Sequence, residues 1–85
     1  METRAAVIAI IVENNESATE INALLHEYSD SIIGRMGIPY REKGISIISV
    51  AIDATQDTIS SLAGKIGRIK GVTAKTVYSQ AETNK

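Results

Sequence analysis

The sequence contains no cysteine, tryptophan or phenylalanine, and it has only one proline and one histidine in 85 residues. Without cysteine the chain can form no disulfide, no iron–sulfur cluster and no thiolate zinc site. The single histidine, His26, excludes a metal site built from several imidazoles, so we expect no metal and no cofactor. No apolar run approaches the ~20 residues that a membrane helix requires. Since the N-terminal residues also lack the features of a signal peptide, we expect a cytoplasmic protein without a membrane partner.

The charge of the chain is nearly balanced, with nine Lys and Arg residues against ten Asp and Glu residues and a net charge of −1. This balance argues against a strong electrostatic footprint for nucleic acid, so we expect no direct nucleic-acid partner. The length is that of one domain, which we place over residues 1–85 with an ordered core at about 4–79. A domain of this size buries only about 63% of its unfolded surface, so a partner subunit would help to stabilise it.

Four segments have the composition of β-strands, and fourteen isoleucines contribute to them and to the helices. Residues 4–13 and 45–53 are apolar on both alternating sets of positions, which is typical of central strands covered on two faces. Residues 31–38 form a weaker strand with two glycines, which predict a bend or a bulge. Residues 72–79 alternate between apolar and polar side chains, which indicates an edge strand.

Two segments between these strands have the spacing of amphipathic helices. In residues 17–28 the sequence SATE has the form of a capping box, which makes Ser17 the expected N-cap. In residues 55–68 the expected N-cap is Thr55, and Gly64 in the middle predicts a close contact between helix and sheet. The apolar stripes are Ile21, Leu24, Leu25 and Tyr28 in the first helix, and Ile59, Leu62, Ala63 and Ile66 in the second.

The element order strand–helix–strand–strand–helix–strand predicts an α+β, ferredoxin-like (βαββαβ) sandwich. Its antiparallel sheet has the order 4-1-3-2, with both helices on one face. The first and third strands are central in this order, and these are the two strands with apolar residues on both faces. Pattern and topology therefore agree.

The sheet face without helices is expected to be apolar rather than polar. If Ile48, Val50 and Ile52 face the helices, the alternate residues Ile45 and Ile47 face outward. A patch of this kind exceeds what monomers usually expose. We therefore predict a homo-oligomer, a dimer or a dimer of dimers, formed through the sheet face or a sheet edge. The alternative is a monomer with a small apolar patch.

The chain shows none of the common catalytic motifs: no phosphate-binding glycine loop with lysine, no nucleophile elbow and no HExxH sequence. His26 lies on the first helix without a second ligand at helical spacing, which is typical of a surface histidine. The loop Glu13–Asn14–Asn15–Glu16 could hold a cation or an amino group, although such loops are more often turns. We therefore expect a protein that is not an enzyme.

The segment 34–44 (GRMGIPYREKG) has the most unusual composition of the chain. Its two strand glycines would let a ligand or another backbone approach closely, and its arginines can donate hydrogen bonds to an anion. The alternative is an edge strand whose charges prevent aggregation. The candidate ligand-binding residues are Asn14, Asn15, Arg35, Met36, Gly37, Pro39 and Tyr40.

The string RMGIPY at residues 35–40, followed by GISIISV at 44–50, closely resembles the family of iron-only hydrogenase system regulators. Residues 6–13, 21–25 and 62–72 are similar to that family as well. The resemblance covers about residues 4–79, and RMGIPY is its most specific part.

This resemblance implies an ACT-like domain, similar to the C-terminal domain of nickel-responsive repressors, encoded beside the maturation genes of iron-only hydrogenases. Those repressors bind nickel through histidines and a cysteine, so a chain with His26 alone is not expected to sense nickel. ACT domains that bind amino acids commonly have a glycine in the loop after the first strand. Here that loop contains Asn14 and Asn15 and no glycine. The implied function is that of an oligomeric regulatory module that binds a small molecule or a protein partner. The alternative is a non-catalytic adaptor that docks to hydrogenase maturation proteins.

Overall fold

The computed structural model of the chain describes residues 2–80. Its elements in chain order are β1 (Arg4–Val12), α1 (Ala18–Glu27), β2 (Ile32–Tyr40), β3 (Ile45–Ala54), α2 (Gln56–Gly67) and β4 (Val72–Tyr78). One turn of 3-10 helix (Asn15–Ser17) precedes α1, and another (Ser29–Ser31) follows it. All six predicted elements are present, with ends that differ from the predicted ones by at most two residues.

The four strands form one antiparallel sheet in the order β2-β3-β1-β4. This is the predicted order 4-1-3-2 counted from the opposite edge, and it confirms the ferredoxin-like fold. The central strands β1 and β3 pair along their whole length, from Arg4 opposite Ala54 to Val12 opposite Ser46. The strands with apolar residues on both faces are therefore central, as the sequence predicts.

The hydrophobic core lies between the helices and one face of the sheet. Every second residue of β1 and β3 points into it, and the apolar stripes of α1 and α2 cover it from the other side. The large side chains that are less than 2% exposed are Ile8, Ile10, Val12, Ile21, Leu25, Val50, Ile52, Ile59, Leu62 and Ile66. Burying an isoleucine or a leucine contributes about 1.5–3 kcal/mol each, so this layer supplies most of the stability of the fold.

The two predicted N-caps have different outcomes. The Thr55 hydroxyl accepts a hydrogen bond from the Thr58 backbone N–H at 3.2 Å, which confirms Thr55 as the cap of α2. Ser17 occupies the predicted N-cap position of α1, but the predicted capping box is absent, because the Ser17 side chain makes no cap hydrogen bond. The Ser17 hydroxyl instead donates to the Lys70 carbonyl at 2.7 Å, and Asn14 caps the 3-10 turn before the helix.

Two predictions based on glycines also have different outcomes. The prediction that Gly64 permits a close contact with the sheet is wrong, because Gly64 is exposed and a Cβ placed there would meet only the Arg68 guanidinium, at 3.5 Å. The predicted irregularity of the second strand is present as a register shift between Ile32 and Gly34, where Ile33 is the extra residue. This β-bulge determines which side chains of β2 face the helices.

Candidate functional site

Strand β2 sends alternate side chains to the two faces of the sheet. Arg35 lies opposite the buried Val50 of β3 and therefore faces the helices, and Met36 lies opposite Ser49 on the other face. The alternation continues to the end of the strand. It separates the predicted site residues into Arg35, Gly37 and Pro39 on the helix side, and Met36 and Tyr40 on the side without helices.

A groove lies on the helix side, between α1 and the β2–β3 hairpin. Its volume is about 250 Å³. We call it the hairpin groove, and its lining includes Val12, Asn22, Arg35, Gly37, Pro39 and Ile48. Three of the seven predicted ligand-binding residues therefore share one concave surface.

Arg35 is fixed in the hairpin groove by a residue of α1. Its Nη2 donates a hydrogen bond to the Asn22 Oδ1 at 2.6 Å. Both side chains are exposed, so the guanidinium is held in place and remains accessible to a ligand. The sequence did not single out Asn22, because its role depends on the packing of α1 beside β2.

The side without helices presents exposed apolar side chains on all four strands. Every exposed large hydrophobic side chain among residues 2–80 belongs to this surface, which we call the open face. These side chains are Val7, Ile33, Met36, Ile38, Tyr40, Ile47 and Val77. Their exposed fractions range from 39% for Tyr40 to 67% for Ile33 and Val77. The predicted residues Met36 and Tyr40 are thus part of a surface rather than of a pocket.

Asn14 and Asn15 lie in a third place, in the connection between β1 and α1. The Asn14 Oδ1 accepts a hydrogen bond from the Glu16 backbone N–H at 3.0 Å. The connection is attached to the residues before β4, since the Glu13 N–H donates to the Gly71 carbonyl at 2.7 Å. Within one chain, neither asparagine lines the hairpin groove.

A polar cluster joins the two helices on their outer side. The Lys65 ammonium donates to the Tyr28 hydroxyl at 2.9 Å, and the Ser61 hydroxyl lies 3.3 Å from the same oxygen. The hydrogen bond from Lys65, followed by that with Ser61, lowers the pKa of Tyr28 below its ordinary value of 10.0. The same contact raises the pKa of Lys65. The cluster links α1 to α2, and sequence reasoning missed it because Tyr28 was assigned to the apolar stripe.

The described part of the chain shows no group of three or more His, Asp or Glu side chains that could hold a metal ion. Between residues 2 and 80, every buried side-chain nitrogen and oxygen has a hydrogen-bond partner. In the same range, no helix has both the length and the apolar composition needed to cross a bilayer.

Comparison with known proteins matches the chain to a family and to relatives that include a solved structure and a curated protein. Residues 4–76 match the TM1266-like family, whose description is "Iron-only hydrogenase system regulator, putative". The chain is 38% identical to the solved structure of the uncharacterized protein TM1266 from Thermotoga maritima, with a TM-score of 0.89. That match covers 93% of this chain and 100% of the other.

The second relative is a curated protein of Saccharolobus solfataricus named "Putative nickel-responsive regulator", which is 29% identical over 66 residues. The match covers 78% of this chain and 49% of the relative, so this chain spans about half the length of the curated relative that it matches. The family match covers most of the chain and the solved relative has the same fold over its whole length. The chain therefore belongs to the TM1266-like family of iron-only hydrogenase system regulators.

Proposed function

We propose that the chain is a non-catalytic regulatory module of an iron-only hydrogenase system. In this proposal it works as a homo-oligomer whose subunits meet through their open faces. The family description supports the regulatory role. The observation that carries the oligomer is the collection of all seven exposed large hydrophobic side chains of residues 2–80 on one sheet face.

The size of the open face fits an interface between copies. Seven large side chains at these exposures present on the order of 600 Å², the upper end of what a typical monomer exposes in one patch. Together with the smaller residues Ala5, Ala9 and Ala51 of the same face, the area approaches the ~800 Å² per partner of a stable interface. Burying a few hundred Å² contributes several kcal/mol before the costs of association.

The face is favoured over the sheet edges as the interface. The outer edge of β2 contains Pro39, which has no N–H to donate, and the bulge at Ile33. Both features oppose the addition of another strand. Two charged side chains lie on the open face, Lys75 on the edge strand β4 and Asp53 near the end of β3. The middle of the face, over β1, β3 and β2, carries no charge, and it has one serine, Ser49, opposite Ala9 and Met36.

Regulation would follow from the two sides of β2. A ligand in the hairpin groove would contact Arg35 and Gly37, and the intervening Met36 belongs to the open face. A ligand that binds one arrangement of the hairpin better than another shifts the population of the oligomer that requires that arrangement. In this proposal Asn14 and Asn15 contribute from a neighbouring subunit, since neither lines the groove within one chain.

Nickel is not part of the proposal, although one relative is named as a nickel-responsive regulator. The chain has one histidine and no cysteine, and that relative is matched over only 49% of its length. Its metal response therefore does not transfer to this chain.

Sedimentation velocity at micromolar concentration tests the oligomer. We expect a species larger than 9.1 kDa for the wild type and monomers for Ile47→Glu and Met36→Glu, since each places a charge among the exposed apolar side chains of the open face. The matched control is Ala23→Glu, which adds the same charge on the exposed surface of α1. A wild type that sediments as a single 9.1 kDa species contradicts the proposal.

The second candidate is an adaptor that docks to a hydrogenase maturation protein, because an open apolar face can also receive a different protein. Purification from native cells distinguishes the two. A stoichiometric complex with a maturation protein, lost in the Ile47→Glu variant, favours the adaptor. A self-associating chain free of other proteins favours the homo-oligomeric module.

A further inference from the structure

The geometry points to the hairpin groove as a binding site for a small monocarboxylate with a short apolar body, whose carboxylate is held by Arg35. The inference rests on the ligand-binding part of the proposed function and specifies the chemistry of that ligand. Four features carry it: the fixed guanidinium, the charge of the groove, its apolar walls, and the absence of a side chain at position 37.

The guanidinium of Arg35 is oriented before any ligand arrives. Its hydrogen bond to Asn22, at 2.6 Å, limits the rotation of a long side chain that is otherwise exposed. A guanidinium has five N–H donors in a planar fork that matches two carboxylate oxygens. Because one bond to Asn22 uses only part of the fork, donors remain for an incoming anion.

The charge of the groove selects a singly charged anion. Its lining residues among the described part of the chain include one cation, Arg35, and no carboxylate. Arg35 makes no ion pair within residues 2–80, so its charge is not neutralised by the protein. A carboxylate carries the one negative charge that a single arginine matches. A phosphate dianion would bring a second charge for which the lining offers no partner.

The walls of the groove suit an apolar body rather than a polar one. Ala18, Pro39 and Ile48 supply apolar surface, and the half-buried Ser46 supplies one hydroxyl. The volume of about 250 Å³ lies below the ~300 Å³ at which sites for drug-sized ligands begin. The ligand class is therefore a small organic acid.

Gly37 keeps the groove open. It lies opposite Ile48 in the register, and a Cβ built on it would stand 3.9 Å from the Ile48 Cγ1. That distance is an ordinary contact, so a side chain at this position is compatible with the backbone. A long side chain would nevertheless extend from the floor of the groove and take the space of the ligand.

Titration by NMR with sodium propionate, at constant ionic strength, tests the site on the full chain. Propionamide serves as the neutral probe of the same shape, and sodium phosphate as the competing anion. We expect saturable shifts of the Gly37 and Ser46 backbone amides and of the Asn22 side-chain amide, at millimolar propionate. Propionamide should leave these signals unshifted over the same range, and phosphate should bind more weakly than propionate.

Three variants complete the test. Arg35→Gln should weaken propionate binding at least tenfold, and Gly37→Leu should abolish it by filling the groove. Arg41→Gln removes the same charge from the exposed turn after β2 and should bind as the wild type does. Spectra without propionate show whether each variant retains the fold.

Other results would overturn the inference. These are equal shifts with propionate and propionamide, tighter binding of phosphate than of propionate, no shift at all, or unchanged binding in Arg35→Gln. Sedimentation of Arg35→Gln separates this inference from the proposed oligomer. If the variant remains oligomeric and the wild type does not bind propionate, the site alone is wrong. If the wild type binds propionate but is a monomer, the open-face interface alone is wrong.

Discussion

Gly71 adopts a left-handed backbone conformation, with a φ of 74°, directly before β4. A Cβ at this position would lie 2.7 Å from the Asn14 Cβ, closer than two carbon atoms can approach without a shift. Gly44, in the β2–β3 turn, has a similar φ of 65° but no neighbouring atom within 4 Å of a built Cβ. A comparison of alanine substitutions at the two glycines therefore separates the cost of the backbone conformation from the cost of crowding by Asn14.

We expect Gly71→Ala to destabilise the fold more than Gly44→Ala. The left-handed conformation costs a non-glycine residue roughly 1–2 kcal/mol in either variant. Gly71→Ala must in addition displace Asn14 and strain the hydrogen bond between the Glu13 N–H and the Gly71 carbonyl. Urea unfolding of the three proteins measures the difference. Equal losses of stability would show that the connection between β1 and α1 moves to admit the added methyl group at no measurable cost in stability.

We expect Gly64→Ala to stabilise the protein by up to about 1 kcal/mol, because glycine inside a helix costs that much relative to alanine. Gly64 is exposed on α2, and an added methyl group would make only an ordinary contact with the Arg68 guanidinium, at 3.5 Å. Urea unfolding measures the change. A loss of stability would mean that this surface of α2 needs a small residue, as a helix packed against a partner does.

At the scale of secondary-structure elements, the contact between Tyr28 and Lys65 joins α1 to α2. We expect Lys65→Met to raise the pKa of Tyr28 toward its ordinary value of 10.0, because the hydrogen bond from the ammonium stabilises the phenolate. Titration of the tyrosine ring carbons by NMR measures this pKa. Lys70→Met is the control, since it removes the same charge from the exposed turn after α2. A pKa of Tyr28 that is unchanged in Lys65→Met would contradict the contact.

The elements themselves could be predicted from the sequence, because their periodicity is local. The stripe of α2, Ile59, Leu62, Ala63 and Ile66, is buried or half-buried as its spacing predicts. The ends of elements were less predictable, since they depend on contacts that are distant in the sequence. Ser17 has the sequence of a cap, but its hydroxyl bonds to the carbonyl of Lys70, 53 residues away.

The candidate site could be predicted only in part, from the composition of one segment. The unusual composition of segment 34–44 drew attention to Arg35, Gly37 and Pro39, which do line one groove. Asn22 could not be recognised, because its role depends on the packing of α1 beside β2. The separation of Met36 from Arg35 follows from a period of two, but the assignment of faces required the pairing register.

At the scale of the whole molecule, the open face predicts that thermal stability depends on protein concentration. A dimer that unfolds to separate chains gains stability by mass action, so a hundredfold increase in concentration should raise the melting temperature by about 5–10 °C. Differential scanning calorimetry over that range measures it. The Ile47→Glu variant should melt at one temperature throughout. A concentration-independent wild type would indicate that the chain unfolds as a monomer.

The bulge at Ile33 has a consequence for any alignment of this hairpin with its relatives. Ile32 lies opposite Ile52 and Arg35 opposite Val50, so both point toward the helices although three positions separate them. Before the extra residue the even-numbered positions of β2 point toward the helices, and after it the odd-numbered positions do. A relative without that residue would align correctly over RMGIPY only if a gap is placed before Gly34. An ungapped alignment would exchange, on one side of that point, the residues of the hairpin groove and those of the open face.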